Sequence, residues 1–416
     1  MDATTCSGTR LKITLGVGRG ASALAVCLGV GRFVYTPILP LMHSQAGLSA
    51  PVGAVVATAN YLGYFVGALL TVLAPLTFRT RAMLRTCLVA LVVTTAGMTL
   101  TSTLEVWFMM RALSGAASAV VFVIAVNAML RTPGAAKEGW TFAGAGVGIA
   151  LSGLLVVSAP FGHDWKAAWW CAATLSVVLA VGAWSLPTGV VVPATNARPE
   201  APRPRTTRLF LALIVSYFLE GVGYIIAGTF LVAAVTQTAP GFADLAWVLV
   251  GLAAIPGCVL WAGLSRRWPR AVLLPATLAL QAVGVALPAL SSSSAAALVA
   301  AVLFGGTFMA IGMIVLPIGA QLRARGSVAV LTVAYSLGQI VGPLLVAPLL
   351  DHGYGSALLV GAVVVAGAAG VAVLLCLGNS RSAPAPVENA PTPRASVHSA
   401  GNVLGNPLTA DADSGR

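Results

Sequence analysis

An arginine lies in the middle of an apolar stretch near the N-terminus, in the segment CLGVGRFVYTPILP at residues 27–40. This residue, Arg32, lies about 12 residues into a predicted membrane-spanning helix, roughly 18 Å along its axis. A charge at that depth costs at least about 2.5–3.5 kcal/mol, so it usually faces a cavity or a partner. Three interpretations are open: an anion-binding residue, one member of a structural ion pair, or a misplaced helix boundary.

The residues that follow Arg32 favour a cavity. Tyr35 and Thr36 would share its face of a regular helix. Pro37 and Pro40 would break or kink that helix and free backbone groups to line a cavity. We therefore expect Tyr35 to contribute to the same binding site as Arg32.

Glu220 is the only one of the eleven acidic residues that lies inside a predicted span and away from its ends. It lies about 11 residues into the seventh span, near the bilayer midplane, and Tyr224 shares its face. Desolvation favours the protonated form of such a carboxyl, as a proton carrier requires. The other interpretation is that Glu220 neutralises Arg32. The two roles can coexist, because a proton or an anionic substrate can break such a pair.

Further polar residues lie within the predicted spans. Arg111, at the start of the fourth span, either faces the same cavity, snorkels to the outer surface or pairs with Glu105. A single Asn or Gln in a helical bundle more often joins helices than binds a ligand. With that alternative open, the predicted substrate-binding residues are Arg32, Tyr35, Asn60, Tyr64, Arg111, Asn127, Tyr224, Tyr335 and Gln339, and the predicted proton-coupling residue is Glu220.

The composition makes the bilayer the expected surroundings of the chain. Hydrophobic residues make up 58% of the 416 residues and charged residues 8%, and the mean hydropathy is +0.94. A soluble domain carries about a quarter charged residues. The net charge of +12 does not indicate a nucleic-acid partner, because the basic residues come in small, widely spaced clusters.

About twelve apolar stretches are long enough to cross a bilayer, which takes roughly 20 residues. They lie near residues 20–42, 50–75, 83–103, 106–130, 140–161, 167–187, 209–236, 243–264, 271–290, 295–321, 327–350 and 355–378. With a cytoplasmic N-terminus, 20 of the 23 basic residues fall on the cytoplasmic side, in agreement with the positive-inside rule. We therefore expect a multi-pass protein of the bacterial inner (cytoplasmic) membrane with both termini in the cytoplasm.

A Pro- and Arg-rich loop divides these spans into two sets of six. The predicted segments are a cytoplasmic tail at 1–19, a six-helix half at 20–187, a cytoplasmic loop at 188–208, a second half at 209–378 and a disordered tail at 379–416. Two glycine patterns recur between the halves: Gly29-Val30-Gly31 as Gly221-Val222-Gly223, and Gly144 with Gly148 as Gly338 with Gly342. Two repeated halves with a site between them are the architecture of secondary transporters.

Signals of catalysis are absent from the sequence. The four histidines are isolated, and the six cysteines form neither CxxC nor a metal-ligand spacing. Neither a nucleophile elbow nor an HExxH or Walker-type motif occurs. We therefore expect no enzymatic activity, no cofactor and no metal site.

Several motifs resemble the major facilitator superfamily, over residues 20–378. Arg111–Gly115 resembles its fourth-helix R-x-x-x-G motif, and GLSRRWPR at 263–270 resembles its G-x-L-(S/A)-D-R-x-G-R loop motif without the Asp. Four segments are similar to the YbfB/YjiJ-type branch of bacterial transporters: GVGRFVYTPILPLM (29–42), ANYLGYFVGALL (59–70), YFLEGVGYIIAGTFL (217–231) and YSLGQIVGP (335–343). The resemblance implies an all-α membrane protein with twelve transmembrane helices in two pseudo-symmetric six-helix halves.

The function implied is secondary transport by alternating access. We expect a monomer in the lipid bilayer that couples the movement of a small organic molecule to protons, and the two intramembrane arginines favour an organic anion. One alternative is proton-driven efflux of a drug or metabolite, although the fifth-span glycine-proline motif of many drug antiporters is not evident. A membrane-embedded enzyme or sensor is the remote alternative.

Overall fold

The computed structural model is helical almost throughout. It describes residues 3–78, 80–131, 134–157, 164–188, 204–238, 243–291, 293–322, 326–352 and 354–380. Within these ranges no β-strand is present, which agrees with the predicted all-α class. Residues 189–203 of the predicted central loop and residues 381–416 of the predicted tail lie outside the described residues.

Twelve helices of the described chain form the bundle and are numbered α1–α12. The first, α1, comprises Ala3–Leu24, a π-helical turn at Ala25–Val30 and Tyr35–Gln45. The first half continues with Ala50–Leu73 (α2), Arg81–Gly97 (α3), Leu104–Leu130 (α4), Ala135–Val157 (α5) and Trp165–Ala183 (α6). The second half comprises Pro204–Thr238 (α7), Ala243–Leu264 (α8), Arg270–Leu290 (α9), Ser294–Leu322 (α10), Ser327–Val346 (α11) and Tyr354–Ser380 (α12). Two short helices, Pro75–Phe78 and the 3₁₀ segment Ala347–His352, follow α2 and α11.

The lengths and surfaces of these helices suit a bilayer. Over the described residues, 11 helices are long and apolar enough to cross a membrane. The remaining one, α3, has 17 residues, which is at the short end of the spanning range of about 17–25 residues. Large apolar side chains such as Val363 and Val181 are 72% and 69% exposed on the outside of the bundle. The predicted twelve-helix membrane fold is confirmed, with α3 as its shortest span.

The repeated glycines lie where two helices of the same half touch. In the first half, a Cβ on Gly29 of α1 would overlap the backbone of Gly148 in α5. In the second half, a Cβ on Gly338 of α11 would overlap the carbonyl oxygen of Phe218 in α7. The pairs α1–α5 and α7–α11 are therefore equivalent, and small residues allow the close packing in each.

The two halves meet along two seams, where α5 packs on α8 and α2 packs on α11. The α5–α8 seam is close, since a Cβ on Gly251 of α8 would overlap the backbone of Ala150 in α5. Between the seams, the middles of α1 and α7 approach each other. This arrangement positions the first and seventh helices to contribute side chains to one central space.

Candidate substrate-binding site

The first helix is interrupted beside Arg32. Residues Ala25–Val30 form a π-helical turn, and residues 31–34 form a turn before the α-helix resumes at Tyr35. Pro37 contributes to this break, because a proline ring clashes with the carbonyl group four residues earlier and cannot donate a hydrogen bond. The sequence predicted a break near the prolines, and it lies on their N-terminal side.

Three side chains from α2 and α4 donate hydrogen bonds to carbonyl groups at this break. Arg111 Nη1 and Nη2 donate to the carbonyl oxygens of Gly31 and Arg32, at 3.2 and 3.0 Å. The Gly31 oxygen also accepts from Asn60 Nδ2 at 3.2 Å and from Ser114 Oγ at 2.8 Å. Lipid offers no hydrogen bonds, so polar backbone groups at a helix break must be satisfied from within the protein. Arg111 and Asn60 perform that task here.

Tyr35 lies on the Arg111 side of the break. Arg111 Cζ lies 4.9 Å from the centre of the Tyr35 ring, and the Tyr35 hydroxyl donates to the carbonyl oxygen of Gly53 at 3.0 Å. The expectation that Tyr35 shares a face with Arg32 assumed a regular helix between them. The turn at residues 31–34 removes that regularity, and Tyr35 does not line the central cavity.

Arg32 enters a cavity between the halves and contacts the second half directly. Its Nη2 donates to Oε1 of Gln339 in α11. Its Cζ lies 4.5 Å from the ring centre of Tyr64 and 5.5 Å from that of Tyr61. Arg32 is only 3% exposed, and its Nε makes no hydrogen bond to any described residue. A buried positive charge is thus surrounded by an amide oxygen and by ring faces.

Aromatic rings from both halves line the same cavity. Tyr217 stacks on Tyr335 with ring centroids 4.6 Å apart, and Tyr335 stacks on Tyr224 at 5.6 Å. Tyr224 stacks in turn on Phe308 at 5.7 Å. The ring of Phe33, in the first half, is nearly perpendicular to those of Tyr224 and Phe308, at interplanar angles of 81° and 82°. Both arrangements are preferred geometries of aromatic pairs.

The side chains that line the cavity fill most of its space. Its lining comes from α1, α2, α4 and α5 on one side and from α7, α10 and α11 on the other. It leaves about 20 Å³ open to the centres of water-sized groups, which is about the space that one water molecule needs. Two wider cavities, of about 260 and 420 Å³, each lie within a single half and contain neither Arg32 nor Glu220. The central cavity is therefore too small in this structure to hold an organic substrate.

Glu220 is buried in α7 but does not line this cavity. Its Oε1 accepts a hydrogen bond from Gln281 Nε2 of α9 at 3.4 Å, and its Oε2 has no hydrogen-bond partner among the described residues. Arg32 contacts Gln339 instead, and no ion pair between Arg32 and Glu220 occurs in the part of the chain that the structure describes. Arg32 and Glu220 therefore occupy separate sites. They do not form the direct ion pair that was one interpretation of the sequence.

The described residues contain one ion pair, and it joins the two halves. Arg270 Nη2, at the start of α9, lies 2.5 Å from Glu138 Oε2, at the start of α5. Glu138 is 4% exposed. Arg270 ends the segment that resembles the superfamily's loop motif. Within the described ranges no three His, Cys, Asp or Glu side chains are grouped as a metal site would require.

The predicted binding residues divide into three groups. Those at the cavity are Arg32, Tyr64, Tyr224 and Tyr335, with Gln339 in contact with Arg32. Those at the helix break are Tyr35, Asn60 and Arg111. Asn127 donates to the carbonyl oxygen of Val123 in its own helix at 2.7 Å. Arg111 forms no ion pair with Glu105 within the described chain.

The sequence reasoning missed two polar residues of this region. Gln281 is a lone amide in the apolar helix α9. The same feature, an amide within an apolar span, made Gln339 a candidate. Tyr217 precedes Glu220 by three residues and could have been selected as a neighbour on the same helix face. The phenylalanines carried no such signal, because apolar residues are found throughout every span.

The comparisons with known proteins support the resemblance seen in the motifs. No curated protein matches the chain. A family model described as "Uncharacterised MFS-type transporter YbfB" matches residues 24–377, which extend from the first helix to the last. With this match and with helices of the right length and apolarity, the chain belongs to the YbfB-type family of the major facilitator superfamily and is a multi-pass membrane transporter.

Proposed function

We propose that the chain transports a small organic anion together with protons, by alternating access. One observation carries this proposal: the cavity between the halves contains Arg32, and its described lining includes no acidic residue. Burial of a charge is costly, so an uncompensated guanidinium in a central cavity indicates an anionic ligand.

The groups around Arg32 are suited to exchange with a carboxylate. The amide oxygen of Gln339 accepts one hydrogen bond from the guanidinium, whereas a carboxylate accepts two parallel ones and is charged. Because a carboxylate adds a negative charge and a second hydrogen bond to the guanidinium, a bound carboxylate displaces the neutral amide of Gln339 from Arg32. Arg32 therefore changes its partner from the second half to the substrate when an anion binds.

Glu220 is the proposed proton carrier. Its side chain is buried, its hydrogen-bonding partner Gln281 is neutral, and one carboxyl oxygen has no partner among the described residues. Such an environment favours the protonated form, and release of the proton requires water or a nearby positive charge. In the proposed cycle, a conformation that admits water to the region between α7 and α9 allows Glu220 to lose its proton on one side of the membrane.

The other candidate, efflux of a cationic drug in exchange for protons, fits the cavity less well. A cation would have to enter beside Arg32, while the one intramembrane carboxyl of the described spans does not line the cavity. Like charges close together in a low-dielectric site repel strongly. The arrangement therefore favours an anion over a cation.

Reconstituted proteoliposomes test this proposal. Proton uptake, followed with an internal pH indicator, is measured on addition of a panel of organic anions. The variants are Glu220→Gln and Arg32→Ala, and the matched controls are Glu105→Gln and Arg267→Ala, which change exposed residues.

We expect Glu220→Gln to abolish the pH change while anion exchange survives, and Arg32→Ala to abolish both. The two control variants should behave as the wild type. Normal proton coupling in Glu220→Gln would contradict the role of Glu220, and anion-driven transport that persists in Arg32→Ala would contradict the role of Arg32.

A further inference from the structure

We propose that the substrate is a small planar aromatic carboxylate, whose ring lies on the faces of Tyr224 and Phe308 and whose carboxylate binds Arg32. This inference rests on the proposed anion transport and names the class of anion. Its basis is the shape of the cavity wall that the second half provides.

That wall is built from aromatic rings in nearly parallel planes. Tyr224 and Phe308 are inclined by only 7° with centroids 5.7 Å apart, and Phe308 and Phe304 by 5° at 5.2 Å. Tyr335 continues the stack at 27° from Tyr224. Parallel rings present flat faces, and a flat face gains more from another ring than from an alkyl chain of equal area.

Phe33 now packs against this wall with its ring nearly perpendicular to the rings of the wall. It meets Tyr224 with centroids 6.4 Å apart and Phe308 at 6.1 Å, both nearly perpendicular. Phe33 belongs to the first half, whereas Tyr224 and Phe308 belong to the second. Separation of the halves during alternating access therefore removes the Phe33 ring from its place beside Tyr224 and Phe308 and exposes these two rings to the substrate.

The positive charge of Arg32 lies next to the Phe33 ring, which packs against Tyr224 and Phe308. Arg32 precedes Phe33 in the chain, and its Cζ lies 5.4 Å from the centre of the Phe33 ring. A ring that replaces Phe33 against Tyr224 and Phe308 thus has the guanidinium close to its own edge. A carboxylate attached to that ring, directly or through one carbon, reaches Arg32. This geometry selects benzoate-like anions over long-chain ones.

Matched ligands test the inference on the unaltered chain. Binding of radiolabelled benzoate to the purified transporter in detergent is measured by scintillation proximity, with cyclohexanecarboxylate, hexanoate and benzylamine as competitors. Benzoate and cyclohexanecarboxylate have the same charge and the same number of carbon atoms, and they differ in the planarity of the ring. Two aromatic contacts predict that benzoate binds about tenfold more tightly than cyclohexanecarboxylate.

Two variants test which rings cause this preference. Phe308→Leu should reduce the preference for benzoate to within about threefold, because it removes one stacking partner. The control is Phe230→Leu, since Phe230 stacks on Tyr354 with centroids 5.7 Å apart and does not line the cavity. It should preserve the full preference. If Phe308→Leu does not fold, the ratio of the affinities for benzoate and cyclohexanecarboxylate in the wild type is sufficient to test the aromatic class.

The outcomes separate this inference from the proposed function. Equal affinity for benzoate and cyclohexanecarboxylate, or tighter binding of hexanoate, with all binding lost in Arg32→Ala, would overturn the aromatic class and retain anion transport. Absence of benzoate binding would overturn the aromatic class. Benzoate binding that persists in Arg32→Ala, or that benzylamine displaces as strongly as the other carboxylates do, would overturn both. A benzoate preference that is lost in Phe308→Leu and kept in Phe230→Leu supports the inference.

Discussion

Replacement of Gly115 by alanine tests whether the close contact between α4 and α2 positions the site. A Cβ on Gly115 would overlap the carbonyl oxygen of Asn60, so the two helix backbones must move apart. Overpacking costs typically about 1–3 kcal/mol, and we expect the upper half of that range because backbone, rather than a flexible side chain, must yield. Asn60 also donates to the carbonyl oxygens of Gly31 and Arg111, at 3.2 and 3.1 Å. The displacement therefore disturbs the break beside Arg32 and weakens anion binding as well.

Thermal unfolding of the purified transporter in detergent, followed by tryptophan fluorescence, measures this effect. The control is Gly367→Ala in α12, where no atom lies within 4 Å of an added Cβ. That change restricts the unfolded chain and should leave stability equal or raise it by up to about 1 kcal/mol. We expect Gly115→Ala to lower the unfolding temperature and Gly367→Ala not to lower it. Equal shifts in the two variants would refute the reasoning from the backbone contact.

Three smaller experiments address other contacts. Ser114→Ala should change stability by less than about 1 kcal/mol in the same unfolding assay, because the Gly31 oxygen keeps its hydrogen bonds from Asn60 and Arg111. Gln339→Glu places a carboxylate against Arg32 and should lower the affinity for organic anions at least about tenfold in a binding assay, since substrate must break a new ion pair. Glu138→Gln removes the ion pair between the halves. In a chain whose only cysteine is Cys258 of α8, this change should speed maleimide labelling about fivefold. An unchanged rate would show that the ion pair does not hold the halves together.

The fold was predictable because the bilayer imposes strong constraints on a sequence. Apolar stretches of spanning length, basic residues on one side and a recurring glycine pattern identify twelve helices and two halves. Polar residues inside those stretches were the natural candidates for a site, because lipid cannot solvate them. For Arg32, Tyr64, Tyr335 and Gln339 this reasoning led to one shared cavity region.

Other parts of the site could not be read from residue spacing. The i, i+3 relation between Arg32 and Tyr35 holds in an α-helix, but the π-helical turn and the break change the direction of the side chains. The carbonyl groups at the break accept hydrogen bonds from Arg111 and Asn60. Residue spacing does not reveal this contribution to the backbone of α1. The wall formed by Phe308 and its neighbours is a product of tertiary packing.

The separation of Arg32 from Glu220 has a consequence for the response to membrane voltage. In the proposed cycle, the loaded transporter holds a positive Arg32, a negative substrate and a protonated, neutral Glu220. The empty transporter holds a positive Arg32 and an ionised Glu220, and Arg111 contributes the same charge to both. The two forms that reorient therefore carry equal intramembrane charge. The membrane potential contributes about 2.3 kcal/mol per unit charge per 100 mV. Because the two forms carry the same charge, it does not favour the reorientation of either. If the proposed cycle moves one monovalent anion with one proton, transport is electroneutral, and the pH gradient and the substrate gradient drive it without a contribution from the membrane potential.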